Sequence, residues 1–310
     1  MTLPSWLRSL VERTLGLGPV RTARRVLDAY GEAGGGLIAG GLTYSALFAL
    51  VPILLVLTGV LGLAITDAAR RAEMTASIGA TFPPIKELID TILTSISENA
   101  AGYGLLGIIG SVWGASHFYG SLDAAFARLF PGGPRRGFVA RTLRGLLSVV
   151  LLIGLFFVVF ALTGTFSALA DEGSSAFAGT AAPVLRVVTA ALTWLVFILA
   201  TGFIYWVVPP RAVTVRAVWL PAVAAGLALA LLTQLFSYIA PRLVGSAALY
   251  GTFVAIFAAM VWLSTGFQVL LIGAAWVRER SVDEEAADAA GVSETTRTET
   301  GDSAGQAVGG

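Results

Sequence analysis

The chain contains no cysteine and one histidine, His117, in 310 residues. The first absence excludes disulfides, thiolate nucleophiles and Cys-ligated metals. The second leaves no metal site, because one His without clustered carboxylates cannot supply three or four ligands. Charge is scarce as well: Asp, Glu, Lys and Arg make up 13% of the residues, against about 25% in soluble domains. No GxxxxGK[ST] segment occurs, so there is no P-loop to bind ATP. A secretory signal is not expected either, since the first 32 residues are charged throughout and the first apolar run is too long and lacks a cleavage-site pattern. No cofactor is expected.

What fills the chain instead is hydrophobic sequence, 56% of the residues. Six charge-free runs stand out: Ala33 to Thr66, Asn99 to Leu122, Gly145 to Ala170, Val187 to Pro210, Ala217 to Pro241 and Leu243 to Val277. Each reaches the roughly 20 residues that a helix needs to span about 30 Å of hydrocarbon. A β-barrel would show alternating segments of about 10 residues, which are not seen. The expected fold is all-α, a polytopic membrane protein of six transmembrane helices. Short loops rich in Lys and Arg stay on the cytoplasmic side. Placing both termini inside puts 15 of the 20 basic residues there, leaving Arg70, Arg71, Lys86, Arg186 and Arg242 outside.

Residues 1–32 read as a cytoplasmic amphipathic region. Trp6, Leu7, Leu10 and Val11 share a face, and Val20, Ala23, Val26, Leu27 and Tyr30 repeat the spacing with Arg21, Arg24 and Arg25 opposite. Such helices lie on anionic lipid or dock a partner. Gly34, Gly35 and Gly36 then break the helix before the transmembrane domain, residues 33–280. In the outer loop after the first span, Ile85, Leu88, Ile89, Ile92, Leu93 and Ile96 form the stripe of another amphipathic helix. It packs across the mouth of the bundle or lies in the outer leaflet. The acidic tail, residues 281–310, lacks aromatics and reads as disordered and cytoplasmic.

Polar residues inside the spans define the candidate site. "GGLTYSALFALVPILLVL", residues 40–57, carries Thr43, Tyr44 and Ser45, followed by Pro52. The proline removes a donor from the helix and frees the Phe48 carbonyl one turn earlier, so a kink is expected. The hydroxyls either bond within the bundle or line a polar cavity. The second span has small residues at Gly104, Gly107, Gly110, Ser111 and Gly114, which permit close helix approach. Ser116 and His117 follow; consecutive helical residues point about 100° apart, which rules out a Ser–His catalytic pair. His117 is then either a hydrogen-bonded interior residue or a titrating group. Asp123 makes a structural pair with Arg128 or, more favourably, with an Arg of the following basic loop. Gln234, Ser237 and Tyr238 form one polar face by their spacing; on the sixth helix Ser264 adds a hydroxyl, and Thr265 and Gln268 are also three apart. These faces serve interhelical bonding or wall a cavity. Arg186 and Arg242, at outer helix ends, snorkel toward headgroups or bind an anionic one.

Taken together, these stretches resemble the YihY/BrkB family of six-helix envelope proteins over roughly residues 20–280. The carrying pieces are residues 40–57; "WGASHFYGSLDAAFARLF" at 113–130; "VVPPRAVTVRAVWLPAVAAG" at 207–226; and "YGTFVAIFAAMVWLSTGFQVLLIGAAW" at 250–276. The resemblance implies an inner-membrane protein of the cell envelope, associated with envelope integrity and suspected of moving lipids or small solutes. It departs at one point: the family commonly closes its sixth helix with Gly-Ala-Glu, whereas Ala275 stands here in place of that Glu. A ribonuclease label also attaches to the family. No enzyme is expected here, because phosphodiester hydrolysis draws on metal-binding carboxylates or paired acid-base groups, and the chain offers one intramembrane His.

Two functions follow as expectations. One is transporter-like handling of a lipid or other amphiphile; the other is a non-transporting scaffold for envelope machinery, in which the polar faces are glue. Membrane lipids are the expected partners in either case, envelope proteins in the second, and nucleic acid in neither.

Overall fold

The computed structural model describes residues 18–64, 100–132, 181–246 and 251–307. Among these residues there are six helices and no strand: α1 Gly18–Glu32, α2 Gly35–Ala64, α3 Ala100–Leu129, α4 Ala181–Val207, α5 Val215–Ser246 and α6 Gly251–Ala307. The third charge-free run, the outer-loop amphipathic stripe and the first amphipathic turn around Trp6 lie outside the described residues.

Local chemistry fixes the boundaries. Gly34 has φ +72°, a conformation open to glycine at little cost. There α1 and α2 meet at a 63° bend. Gly35 serves space instead, since a Cβ at that position would stand 2.1 Å from the Tyr30 ring. The chain leaves α4 just before Pro209 and Pro210, because a residue preceding proline is pushed out of the helical region. Helix α5 then starts after Thr214, whose Oγ1 accepts the Ala217 N–H at 3.4 Å as an N-cap. Helix α2 runs through Pro52 and remains helical to Ala64.

Helix α6 stands at the centre. It is flanked by α2 and α5, which carry α3 and α4 on their far sides, and α1 lies against it as well. At one end the row curls closed, bringing the rings of Phe126 on α3 and Tyr205 on α4 within 6.4 Å. The buried core sits at that end. It joins Val26 and Ala29, Ala39 and Leu42, Leu122 to Phe130, Val208, Ala217 to Ala225, and Leu270 to Val277. Small residues let the helices approach closely there, where van der Waals packing drives association in lipid. The Tyr205 hydroxyl donates to the Leu270 carbonyl at 2.8 Å, and it fits because position 273 is glycine: a Cβ there would lie 2.0 Å from that oxygen. Ala275 is fully buried in the same core.

Among the described residues two stretches are long and apolar enough to cross a membrane, Val215–Ile239 and Ile256–Ala287, and the bent pair of α1 and α2 makes a third if it counts as one span. Helix α4 contributes a shorter apolar stretch, Ala191–Val207.

Helix α1 buries part of its apolar face in the core and leaves Ala23 and Leu27 exposed. Val26 and Ala29 enter the core, and Arg25 pairs with Asp283 of α6 at 3.1 Å beside them. The acidic tail, read as disordered, continues α6 as helix to Ala307. Its residues around Glu284 to Ala290 are rich in Ala and Glu, which are strong helix formers as well as common in disordered chains.

Candidate functional site

The hydroxyl triplet of α2 divides between two environments. Successive helical residues point about 100° apart, so Thr43, Tyr44 and Ser45 cannot share one wall. Thr43 is buried and its Oγ1 donates back to the Ala39 carbonyl at 2.8 Å. Ser45 is buried and meets Ser121 of α3, oxygen to oxygen at 3.0 Å. Because Ser121 donates its own proton to the His117 carbonyl at 3.1 Å, Ser45 is the donor of the pair. This is interhelical bonding of the kind worth about 0.6 kcal/mol per bond in membranes. Tyr44 points the other way and is 63% exposed.

On that outer face the rings form a ladder. Tyr44 lies 5.7 Å from Phe48, Phe48 lies 5.8 Å from Trp113 with the planes at 68°, and Trp113 stacks on His117 at 5.8 Å and 13°. His117 and Ser116 are both exposed, so the histidine is not an interior residue. Among the described residues no three His, Asp or Glu side chains converge on a metal position. Asp123 is half-buried and Arg128 exposed.

Helices α5 and α6 keep their polar groups to themselves. Ser237 donates to the Gln234 carbonyl at 2.8 Å, and Gln268 reaches Ser264 of its own helix at 3.5 Å. Gln234, Tyr238 and Gln268 are exposed. Of the polar residues read as interhelical glue or cavity wall, Thr43 and Ser45 are buried, and Tyr44, Ser116, His117, Gln234, Tyr238 and Gln268 are exposed. The side chains of Pro52 and Arg186 lie outside the described residues.

Beside the α5 and α6 polar groups lies a feature that sequence reading missed, a cleft of about 500 Å³. Leu235, Phe236, Ile239, Phe257, Val261 and Trp262 form most of its wall, with Thr265 the one hydroxyl in the lining. Phe236 and Trp262 stack within it at 5.7 Å. Residues of this kind are indistinguishable in sequence from a face turned to lipid; only their concave arrangement sets them apart. One turn beyond Ile239 stands Arg242. Its guanidinium lies 3.5 Å over the Tyr238 ring, and its Nη1 donates to the Tyr238 carbonyl at 2.6 Å.

At the closed end a polar network ties the surface elements together. Arg25 meets Asp283 with both terminal guanidinium nitrogens, at 3.1 and 3.3 Å, and Glu279 at 3.8 Å. The hydrogen bond to Asp283, and then the charge of Asp283, raise the Arg25 pKa above its ordinary value. Thr214 donates to Glu284, and Arg280 donates to the Arg216 carbonyl at 3.0 Å. Exposed pairs of this type are screened by salt and contribute little each. Their role is to hold α1 and the α4–α5 connection against α6.

A bundle of apolar helices with membrane-length spans and an apolar cleft between two of them belongs to the class of helical membrane proteins. The particular family follows from comparison: the sequence profile described as "Virulence factor BrkB" matches residues 26–295, and the chain belongs to that family. It is 25% identical over 242 residues to a UPF0761 membrane protein of Acinetobacter baylyi, covering 76% of this chain and 56% of the relative. It is 26% identical over 276 residues to a UPF0761 membrane protein of Chromohalobacter salexigens, covering 84% of this chain and 64% of that one. The chain thus spans less than two thirds of the length of these curated relatives. No solved structure matches it.

Proposed function

We propose that this chain is a six-pass protein of the cytoplasmic membrane, with both termini inside, that handles a lipid or another amphiphile in transporter-like fashion and catalyses no covalent step. The observation that carries the reading is the open apolar cleft of about 500 Å³ between α5 and α6. That volume falls in the range of small-molecule sites, roughly 300–1,000 Å³. An apolar lining suits a hydrocarbon chain and offers nothing to an ion or a sugar. The test is lipid movement in vesicles. Purified protein in phospholipid vesicles should accelerate the exchange of a headgroup-labelled lipid between leaflets, followed by quenching of the outer label with dithionite.

A scaffold remains the second reading, favoured by one observation: the buried hydroxyls of Thr43 and Ser45 are spent on bonds inside the protein. Vesicles in which no labelled lipid class moves faster with protein than without would favour it over transport.

The topology rests on the distribution of arginine. Because the protein has no native cysteine, single cysteines at Ser95 and Thr142 report sidedness directly. With an impermeant thiol reagent on intact cells, the cysteine at Ser95 should label and the one at Thr142 should not. The reverse pattern would invert the assignment.

A further inference from the structure

Resting on that reading of the α5–α6 cleft, we infer that it takes one acyl chain of a net-anionic phospholipid, whose headgroup phosphate is held by Arg242. Length is the first argument. The lining on α6 runs from Phe253 to Thr265, about 18 Å of helix at 1.5 Å per residue. One leaflet of hydrocarbon is about 15 Å deep, so the cleft suits a single chain entering from one leaflet.

The second argument is where the charge stands. Leu235 and Ile239 line the cleft, and Arg242 follows them at i+7 and i+3, on the same face of α5. The guanidinium is held by the Tyr238 ring beneath it and by one bond to the Tyr238 carbonyl. A cation stacked through its face keeps its edge free, and arginine has five donors, a fork that matches phosphate oxygens. Among the described residues no Asp or Glu pairs with Arg242. An apolar trough with an oriented, exposed cation one turn past its Ile239 wall complements a hydrocarbon chain that ends in an anion. A headgroup carrying its own ammonium would bring like charge to the guanidinium, which selects net-anionic lipid over zwitterionic.

The experiment uses the full chain in nanodiscs of phosphatidylcholine containing a small fraction of a lipid with a diazirine on one acyl chain, presented as phosphatidylglycerol or as phosphatidylcholine. Adducts are mapped by mass spectrometry. Phosphatidylglycerol should label the 232–265 region about fivefold more than phosphatidylcholine, the ratio expected for one exposed charge pair. Arg242→Gln should abolish the preference, and Arg242→Lys should keep part of it. Equal labelling by the two lipids in the native protein, or an Arg242→Gln protein with its preference intact, would overturn the headgroup assignment while leaving lipid in the cleft. No cleft adducts from either lipid would overturn the acyl-chain reading as well. Displacement of the labelled lipid by inorganic phosphate would make the free ion the ligand, and a disulfide between two Val261→Cys chains in place of adducts would make a second copy the occupant. Either result defeats the inference.

Discussion

Gly226→Ala should destabilise the protein by about 3 kcal/mol, whereas Gly41→Ala should stabilise it by up to about 1 kcal/mol. Both residues are helical glycines, so both gain the same propensity on acquiring a methyl, close to 1 kcal/mol. What decides the sign is what the methyl meets. At Gly226 it would lie 2.6 Å from the Ile198 Cα and 2.8 Å from the Ile198 nitrogen. Those are backbone atoms of α4, which cannot swing aside as a side-chain terminus does. To restore an ordinary carbon-carbon separation, near 3.5–4.0 Å, α4 and α5 must part by about 1 Å. Overpacking costs typically 1–3 kcal/mol, and more when the neighbour is rigid. At Gly41 nothing lies within 4 Å, and the propensity gain stands alone. Unfolding midpoints in mixed micelles of dodecyl maltoside and dodecyl sulfate would compare the two. A Gly226→Ala protein as stable as the native chain would mean that α4 and α5 do not pack as described.

How much of this was legible in the sequence varies with the range of the interaction. The break at Gly34 was legible, since three glycines before an apolar run have a local meaning. Their division of labour was not, because the need for glycine at 35 comes from the Tyr30 ring folding back over it. The polar content of α2 was legible; its orientation was not. Thr43 and Ser45 look like neighbours of Tyr44 in sequence but stand about 100° to either side of it, and only the arrival of Ser121 from α3 shows which side is inside. The tail illustrates a composition that signals two things at once: Asp283 and Glu284 mark a solvated segment, and the same residues pair with Arg25 and Thr214 once α6 is extended. The cleft was invisible because Leu, Phe, Val and Trp serve equally for core, lipid contact and groove.

Val261→Trp should slow lipid exchange at least tenfold with no loss of stability. Val261 lines the cleft and is 64% exposed, so an indole there projects into open volume and displaces no core side chain. The added apolar contact with the opposite wall stabilises the fold if it does anything, at about 25 cal/mol for each Å² buried. A chain occupying the same volume is excluded, and a tenfold slowing corresponds to about 1.4 kcal/mol on the barrier. Leu231→Trp is the control: Leu231 is exposed on α5 yet stands outside the cleft lining, so it changes surface hydrophobicity without filling the groove. Exchange of headgroup-labelled lipid in vesicles should be slow for Val261→Trp and normal for Leu231→Trp. Were both variants as fast as the native protein, lipid would not travel through the α5–α6 cleft. Were both slow, the effect would belong to added surface hydrophobicity rather than to the groove, and the route would have to be sought elsewhere on the bundle, beginning with the Tyr44–Phe48–Trp113 ladder on the outer face of α2 and α3.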